Sequence, residues 1–514
     1  MSNLIQDIRE NFENHISNSS KFPLFGLLLI GICGISIRLL FFQPDWIFSS
    51  DNLSYFKYAM DVSLTGELPS NIGLPNNGWP LFVSIFFKFF DSGNFLDYMN
   101  LQKYLTLILS TVTIIPAYFL SKKFVGSSFA LIATLLFTLE PRLIQNSIIG
   151  VTEPLFLLLI VTSLTLIFQK NKYIICGAFI AVAFASIVRA EGMFLIPGLC
   201  FVFFLRYRIN KKTIIQCVIF ISITLLIILP FSLQRIESTG NDFLVGRVIL
   251  SSSAFSEQTQ NEPNQIISKI GESIYIFAGF LGRLMIPYLG IFVPIGTILF
   301  LRNKKIQKSL LLVPGFFLIL PSLYAYTVPA LDSKYLFPIL PILCIFGALA
   351  YKKYFEKIKF KTIFTVIILI IIITSSIIFL DYKKYNTENQ KEFLELADII
   401  NKNTDIILFV NSPVYSYLDL AHMSELEKFP VTSSDYDKDP TKYVIVDNLN
   451  VEEFFVSMKE NNITHVVIDE EINNPEILKK IFNNFEKYKE LEKVFDSENK
   501  GYEHKIKIFK LNFE

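Results

Sequence analysis

The chain of 514 residues is poor in charged side chains, since Asp, Glu, Lys and Arg make up only 18% of it, whereas about 25% is usual in soluble domains. It is 52% hydrophobic and contains 51 Phe, which is more apolar surface than soluble domains of this total length can bury. Its net charge of +1 gives no electrostatic reason to expect a nucleic-acid partner. These shortages exclude an ordinary soluble protein and indicate a polytopic membrane protein.

Residues that bind metals or phosphate through short motifs are also scarce. The cysteines all lie in apolar runs, as core thiols do, and offer no CxxC zinc pattern or disulfide framework: Cys33, Cys176, Cys200, Cys217 and Cys344. The histidines have no ligand spacing: His15, His422, His465 and His504. The C-terminal part has no Gly-rich phosphate loop, which argues against nucleotide binding there. We therefore predict no metal site and no cofactor; a divalent metal is compatible with the chemistry but has no support in these residues.

Arginine is absent from the last 130 residues, which hold 15 Lys and 26 acids and so carry a net charge of −11. The first 384 residues carry a net charge of +12. This split predicts two domains with a boundary near Tyr385. We expect a membrane domain at 1–384, with outer loops at about 43–100 and 234–272, and a water-soluble domain at 385–514.

Eleven apolar stretches are long enough to cross the roughly 30 Å of hydrocarbon in a bilayer. They begin near Phe22, Leu101, Val125, Val151, Tyr173, Met193, Thr213, Ile274, Ser309, Leu336 and Thr362. Five alternate short loops hold 17 basic residues and a single acid, Glu356, and loops rich in Lys and Arg face the cytoplasm. We therefore predict a multi-pass plasma-membrane protein whose N-terminus is cytoplasmic and whose C-terminal domain is extracytoplasmic.

Short apolar runs alternate with amphipathic stretches in the C-terminal domain, which predicts strands and helices in turn. The predicted strands are 405–410, 443–446, 465–468 and 505–511, and the predicted helices are 450–461 and 475–489. This alternation indicates a small α/β domain.

The segment from Trp79 to Phe90 is apolar but too short to span a membrane. It is interpreted as a helix in the outer interface, with Trp79 and the following phenylalanines against lipid. The alternative is a partly inserted helix that plugs the helix bundle.

Asp51 follows the first apolar stretch by a few residues. A helix over 51–65 would place it at the N-cap or in the first turn, where a carboxylate stabilises the helix. The functional interpretation is a carboxylate held over the bundle as a general base. Spacing alone leaves both interpretations open.

Further ionisable residues lie at the predicted outer ends of apolar stretches, where charge is costly and usually functional. Glu140 and Arg142 share a short loop with Glu153, and they either pair structurally or line an acceptor or phosphate site. Each of four basic residues on the same side is, taken alone, better explained as an interfacial anchor or ion-pair partner, but together they would suit a lipid phosphate. They are Arg189, Arg235, Arg283 and Lys334.

Several short motifs occur in the same order as in a known protein family. The motifs are Asp51 with Tyr55, Tyr58 and Ala59, then Asn77-Gly78-Trp79-Pro80-Leu81, Glu140-Pro141-Arg142, the run from Ser186 to Gly192, and the run from Lys334 to Pro341. Over about residues 22–380 the chain resembles the GT-C membrane glycosyltransferases that use polyprenyl-phosphate sugars. These include the dolichyl-phosphate-mannose protein mannosyltransferases and the aminoarabinose transferases that act on lipid A.

The resemblance implies a GT-C architecture and a hexosyltransferase of mannosyltransferase type. The donor would be a sugar on dolichyl or undecaprenyl phosphate, and the acceptor a protein, a lipid or a glycan. Asp51 would deprotonate or hold the acceptor hydroxyl for an inverting attack. Arg189, Arg235, Arg283 and Lys334 would bind the lipid phosphate, because cations stabilise the charge that develops on a phosphate leaving group.

The sequence departs from the family pattern at two points. Asn52 stands where many relatives have a second acid, which weakens a paired-carboxylate or metal role. The two tryptophans, Trp46 and Trp79, both lie in the first outer loop, so a WWDYG-like motif is lacking and whole-glycan transfer to Asn is disfavoured. The alternatives are a transporter or flippase of lipid-linked glycans, which should show internal repeats and broken helices, and a non-catalytic GT-C-like subunit.

Overall fold

The computed structural model describes residues 22–70, 72, 74, 77–240, 263–303, 308–327, 331–384, 387–404, 407–409, 413–425, 429–432, 441–442, 450–470 and 475–513. Most of these residues are helical. Up to residue 384 the helices are α1 Phe22–Leu40, α2 Ser50–Thr65, α3 Gly78–Phe87, α4 Phe95–Val112, α5 Ile114–Val125, α6 Ser127–Thr138, α7 Pro141–Asn146, α8 Glu153–Leu166, α9 Lys172–Val188, α10 Leu195–Tyr207, α11 Lys211–Thr239, α12 Pro263–Met285, α13 Leu289–Arg302, α14 Ser309–Ala325, α15 Leu340–Lys357 and α16 Lys361–Tyr382. Short 3-10 helices at Ala190–Phe194 and Ser333–Ile339 precede α10 and α15.

The chain forms two compact units. The first comprises Met1–Gln43, Leu68–Val83 and Leu101–Lys384, and the second comprises Pro44–Glu67, Ser84–Asn100 and Tyr385–Glu514. The second unit therefore contains two segments of the predicted outer loop 43–100 in addition to the acidic C-terminal residues. Much of the other predicted outer loop, 234–272, lies outside the described residues.

Six helical stretches of the described residues are long and apolar enough to cross a membrane. They are Pro23–Leu40, Phe95–Val125, Ala190–Tyr207, Lys211–Ser238, Ser333–Lys357 and a stretch that begins at Lys361 and contains α16. The pair Gly271–Met285 and Leu289–Arg302, bent by 112°, is a seventh candidate, and five further apolar helices have only 10–17 residues. The helices support the predicted membrane protein, and the count of eleven spans stays a prediction.

The sharp bend between α12 and α13 lies at Pro287. Proline has no amide hydrogen to continue the helical bonding pattern, so a helix ends near it. The next residue, Tyr288, is buried, and its hydroxyl donates to the carbonyl of Leu136 in α6 at 3.0 Å. This bond holds the start of α13 against the bundle of the first unit.

The prediction that Trp79 faces lipid is wrong. Trp79 lies in α3, is 0% exposed, and donates its indole N–H to the carbonyl of Gly150 at 3.0 Å. A buried indole needs such an acceptor. Among the following phenylalanines, Phe87 is also buried, whereas Phe89 is 83% exposed. The buried tryptophan agrees with the plug interpretation, whereas Phe86 and Phe89 in the second half of the segment present their rings outward.

The second unit contains a mixed five-stranded sheet, which confirms the predicted C-terminal sheet. Its strands are β1 Ile407–Phe409, β2 Thr441–Lys442, β3 His465–Asp469, β4 Leu491–Asp496 and β5 Ile506–Leu511, in the order β2-β1-β3-β5-β4. Strand β1 is parallel to β2 and β3, and β5 is antiparallel to β3 and β4. The predicted strand at 443–446 lies outside the described residues, and β4 was not predicted.

Among the described C-terminal residues, four α-helices accompany this sheet: α17 Thr387–Asn403, α18 Leu418–Glu425, α19 Val451–Glu460 and α20 Glu476–Asn484. Three short 3-10 helices lie at Pro413–Tyr417, Phe485–Lys487 and Glu498–Lys500. Helix α19 begins with a capping box, in which Asn450 and Glu453 each accept the other's backbone N–H. The apolar faces of α19 and α20 pack on the sheet, with Phe454, Ile481 and Phe509 in the buried core. The predicted helices at 450–461 and 475–489 correspond to α19 and α20.

Candidate functional site

Arg189 is the centre of a buried group of charges in the first unit. Its Nη1 donates to the Glu153 carboxylate at 2.5 Å and to the Thr152 hydroxyl at 3.2 Å, and its Nη2 donates to the Glu191 carboxylate at 2.9 Å. Arg189 is 5% exposed and Glu153 is 4% exposed. The guanidinium thus contacts two carboxylates, which compensate its positive charge and fix its orientation.

Two glycines determine where Arg189 lies at the end of α9. A Cβ atom on Gly78 would stand 2.7 Å from the backbone nitrogen and Cα of Val188, and one on Gly192 would stand 2.7 Å from the nitrogen of Ser186. Only glycine lets another backbone approach this closely. Both glycines belong to the motifs that carry the family resemblance, and their packing on the last turn of α9 is a physical reason for their presence.

The segment that carries Thr152 and Glu153 is anchored at Gly150. The carbonyl of Gly150 accepts the indole N–H of Trp79 at 3.0 Å and the amide of Gln102 at 2.6 Å. Both donors are fully buried. Their bonds hold the start of α8 in place. Glu153 is the first residue of this helix, and its carboxylate contacts Arg189 from this position.

A small pocket borders the guanidinium of Arg189. It is lined by Arg189, Glu191, Lys334, Phe156, Leu318, Pro321, Tyr335 and Pro338. The guanidinium carbon lies 5.8 Å from the centre of the Phe156 ring and 5.6 Å from that of Tyr335, within the range of cation–π attraction. The space holds about one water molecule. A larger anion therefore requires a shift of a lining side chain.

Lys334 is the second cation of this pocket. Its side chain is 25% exposed, and its Nζ lies 3.6 Å from a carboxylate oxygen of Asp332. Asp332 also caps the 3-10 helix that begins at Ser333, since its other oxygen accepts the backbone N–H of Lys334 at 2.9 Å. The ammonium of Lys334 is a compact charge on a flexible four-carbon stem, so it can turn its N–H donors towards an anion.

Glu140 and Arg142 make mainly structural contacts. Glu140 caps α7 by accepting the backbone N–H of Leu143 at 2.8 Å, and it pairs with Arg142 at 3.1 Å. Arg142 also donates to the carbonyls of Arg283 at 2.6 Å and Ile286 at 2.7 Å. Burial raises the pKa of the Glu140 carboxyl, and Arg142 acts in the opposite direction. Through its two bonds to carbonyl groups, the Arg142 guanidinium stabilises the C-terminal end of α12, where cations are favoured.

The other two predicted phosphate ligands lie elsewhere in the first unit. Arg235 is 1% exposed and donates to the carbonyl of Leu74 at 2.8 Å. Arg283 lies in the last turn of α12, is exposed, and has its guanidinium 5.1 Å from the ring of Phe280. Neither residue is among the described residues that line the pocket beside Arg189.

Asp51 belongs to the second unit and lies, exposed, in the first turn of α2. The N-cap is Ser49, whose side chain makes no capping bond. Ser50, directly before Asp51, has a φ of 54°, and this left-handed conformation costs a residue other than glycine roughly 1–2 kcal/mol. Such strain concentrates at functional sites. The first-turn position fits both interpretations of Asp51, and the strain at Ser50 favours the functional one.

The sequence did not predict a cavity of about 230 Å³ in the second unit. It is lined by Ser50, Leu53, Ser54, Lys57, Tyr415, Leu418 and Asp419, and Lys57 and Asp419 form an ion pair. The four residues from α2 have the i, i+3, i+4, i+7 spacing of one helix face, which is a detectable signal. Asp419 comes from a distant part of the chain and belongs to no motif.

Among the described residues, no group of three or more His, Cys, Asp or Glu is arranged to hold a metal ion. The five cysteines are free thiols. Cys217 and Cys344 are buried, as core thiols are, and the remaining three are half-buried.

No family model and no curated protein matches the chain, but solved structures do. The apo oligosaccharyltransferase of Archaeoglobus fulgidus is similar, with a TM-score of 0.60 and 12% identity over 90% of this chain and 71% of that one. The oligosaccharyltransferase AglB of the same archaeon, in complex with an inhibitory peptide and a dolichol-phosphate, has a TM-score of 0.57 and 13% identity over the same shares of both chains, 90% and 71%.

A third structure holds the archaeal enzyme tethered to an acceptor peptide with the NVT sequon, with a TM-score of 0.59 and 13% identity over 89% of this chain and 70% of that one. Identities this low show the fold alone. The chain has the fold of this membrane oligosaccharyltransferase, which confirms the predicted GT-C type of fold. Donor, acceptor and reaction have to be argued from the residues.

Proposed function

We propose that the chain is an inverting membrane glycosyltransferase that moves a sugar from a polyprenyl-phosphate donor to an acceptor hydroxyl. The observation that carries the proposal is the pocket beside Arg189, where Arg189 and Lys334 lie among Phe156, Leu318 and Tyr335. Cations next to apolar side chains suit a phosphate attached to a lipid. The shared fold adds support, because one neighbour was solved with a dolichol-phosphate.

Within this proposal, Arg189 and Lys334 bind the donor phosphate in different ways. Arg189 is charge-compensated by Glu153 and Glu191, so it supplies fixed N–H donors. Lys334 supplies the positive charge. When the bond between the sugar and the phosphate oxygen breaks, the phosphate gains negative charge, and a positioned ammonium stabilises that charge in the transition state.

Asp51 is the proposed general base. The acceptor hydroxyl gives its proton to the Asp51 carboxylate, its oxygen attacks the anomeric carbon, and the bond to the donor phosphate oxygen breaks with inversion. The strained backbone of Ser50 supports a functional role for this position. Glu140, Arg142 and Glu153 have supporting roles in the proposal, and the predictions that Arg235 and Arg283 are further phosphate ligands remain predictions.

We propose a hexosyltransferase of mannosyltransferase type, with residues 1–384 as its catalytic membrane domain and 385–514 as an extracytoplasmic domain. The plasma membrane is the proposed location, with a cytoplasmic N-terminus. The support is the charge of the short loops and the net charge of −11 on the last 130 residues.

One feature of the structure would also suit a transporter or flippase of lipid-linked glycans. The bend of 112° between α12 and α13 is the kind of broken helix that transporters use. A transporter, or a non-catalytic subunit, would bind the donor without breaking its sugar–phosphate bond. Turnover therefore separates the proposed enzyme from both alternatives.

The test uses purified full-length protein in lipid nanodiscs with radiolabelled mannosyl-phosphoryl-polyprenol and glucosyl-phosphoryl-polyprenol, each with and without membrane extract as a source of acceptor. We expect sugar release or transfer from one donor, and a rate about tenfold or more lower in Lys334→Gln. Lys480→Gln, which removes an exposed lysine paired with Glu476, is the matched control and should leave the rate unchanged. Donor binding without consumption of either donor would contradict the proposal.

A further inference from the structure

The cavity between α2 and the segment Pro413–Glu425 has a volume of about 230 Å³, far larger than the pocket beside Arg189. We propose that it binds a neutral saccharide, so that the acceptor of the reaction is a glycan. This inference rests on the proposed transferase function, and it names the acceptor class that the motifs left open.

The size of the cavity suits a single sugar ring. A buried water needs only about 10–15 Å³ of such space, so the cavity is far larger than a hydration site. Sites for drug-sized ligands have about 300–1,000 Å³, so it is smaller than those. A ligand of a dozen or so heavy atoms fits between these limits.

The charges that line the cavity favour an uncharged ligand. The lining contains one cation and one anion, Lys57 and Asp419, and they form an ion pair. A lipid phosphate or an acidic peptide would need an excess of positive charge, and a basic peptide an excess of negative charge. A balanced pair offers neither, and a charged ligand would lose hydration without compensation.

The same groups match the hydroxyls of a sugar. Each sugar hydroxyl both donates and accepts hydrogen bonds, and the ammonium of Lys57 donates while the carboxylate of Asp419 accepts. The hydroxyls of Ser50 and Ser54 can do either. Tyr415, which is 46% exposed, supplies an aromatic face against which the C–H side of a sugar ring can pack.

The cavity also lies beside the proposed base. Ser50 immediately precedes Asp51, and Ser54 follows it by three residues on the same helix. Residues three apart are neighbours on a helix surface. A sugar held by Ser50 and Ser54 would therefore place one of its hydroxyls near the Asp51 carboxylate.

The test measures binding, independently of catalysis. Full-length protein in nanodiscs is applied to an array of immobilised neutral oligosaccharides, acidic oligosaccharides and Ser/Thr-containing peptides. We expect binding to neutral oligosaccharides that is about tenfold weaker in Asp419→Asn and in Tyr415→Ala. Asp398→Asn, which removes an acid from the exposed pair with Lys402 in the same unit, is the matched control and should bind as wild type does.

Three results would overturn the inference: no neutral oligosaccharide is bound, only peptides or acidic oligosaccharides are bound, or both cavity variants bind as wild type does. Because Tyr415 is exposed, its variant tests the cavity even if Asp419→Asn fails to fold. Glycan binding with these properties but no donor turnover would retain the cavity assignment and reject the transferase. Donor turnover without glycan binding would retain the transferase and reject the cavity assignment.

Discussion

The guanidinium of Arg189 and the carboxylate of Glu153 form a buried ion pair, with 2.5 Å between Nη1 and Oε1. The pair joins the end of α9 to the start of α8. Both residues are about 95% excluded from solvent. Removal of Arg189 would leave the buried Glu153 carboxylate without this cation, and removal of Glu153 would leave Arg189 paired only with the more exposed Glu191. The pair therefore fixes the guanidinium beside the pocket that we assign to the donor phosphate.

Glu153→Gln should destabilise the protein by about 3 kcal/mol, because it removes one partner of this buried pair. The measurement is the free energy of unfolding in mixed micelles. Glu191→Gln is the matched comparison: Glu191 contacts the same guanidinium but its side chain is 19% exposed, so its replacement should cost less than half as much. Equal costs for the two variants would show that burial of Glu153 does not set the energy of the pair.

Gly78→Ala should destabilise the first unit by about 1–3 kcal/mol and lower donor turnover, because the new methyl group would press on the backbone of Val188 next to Arg189. Gly31→Ala is the control, since nothing lies within 4 Å of a Cβ at that position in α1. Alanine should be neutral or slightly stabilising there. A Gly78→Ala protein with wild-type stability and turnover would disprove this positioning role.

Arg142→Gln should lower the free energy of unfolding by about 1.5–3 kcal/mol, because its guanidinium donates charge-assisted bonds to the carbonyls of Arg283 and Ile286. Arg283→Gln should change it by no more than about 0.5 kcal/mol, since that side chain is exposed. If Arg283 binds the donor phosphate, its variant should instead raise KM for the donor. The structural role of Arg142 would be refuted by a variant as stable as wild type.

The burial of Trp79 can be tested by fluorescence. In a Trp46→Phe background Trp79 is the single tryptophan, and we expect little quenching by brominated lipids because the ring is 0% exposed. Phe89→Trp in a background without Trp46 and Trp79 is the positive control, since Phe89 is 83% exposed. Strong quenching of Trp79 would restore the prediction that it faces lipid.

Patterns within single segments were enough to predict several parts of the structure. Hydrophobic length indicated the apolar helices, and short apolar runs indicated β1 and β3 because strands bury nearly every residue in such runs. The run at 505–511 was also predicted as a strand and corresponds to β5. The short apolar segment at Trp79 was ambiguous. Its polar indole edge finds a partner in Gly150, which is far along the chain, so burial depends on a contact that no local pattern reports.

The candidate site was predictable residue by residue, but not as a set of contacts. Arg189 and Glu153 stood out because ionisable groups next to apolar spans are costly. The positive charge of Arg189 is compensated by the carboxylates of both Glu153 and Glu191 only because α8 packs against α9. Likewise, Lys57 and Asp419 form their pair only because two distant segments meet in the second unit. The spacing of Ser50, Leu53, Ser54 and Lys57 marks one face of α2, but it does not indicate which segment this face meets.

The most direct test of the proposed function is sugar transfer from the radiolabelled polyprenyl-phosphate donors by wild type and Asp51→Asn protein, with donor binding measured on the same samples. A general base contributes about 10²–10⁴-fold to a rate. We therefore expect transfer to fall by at least about a hundredfold while donor affinity is retained. Asp45→Asn, at an exposed aspartate of the same segment, should transfer at the wild-type rate. Wild-type turnover by Asp51→Asn would contradict the role of Asp51 as the base and return it to a first-turn helix residue.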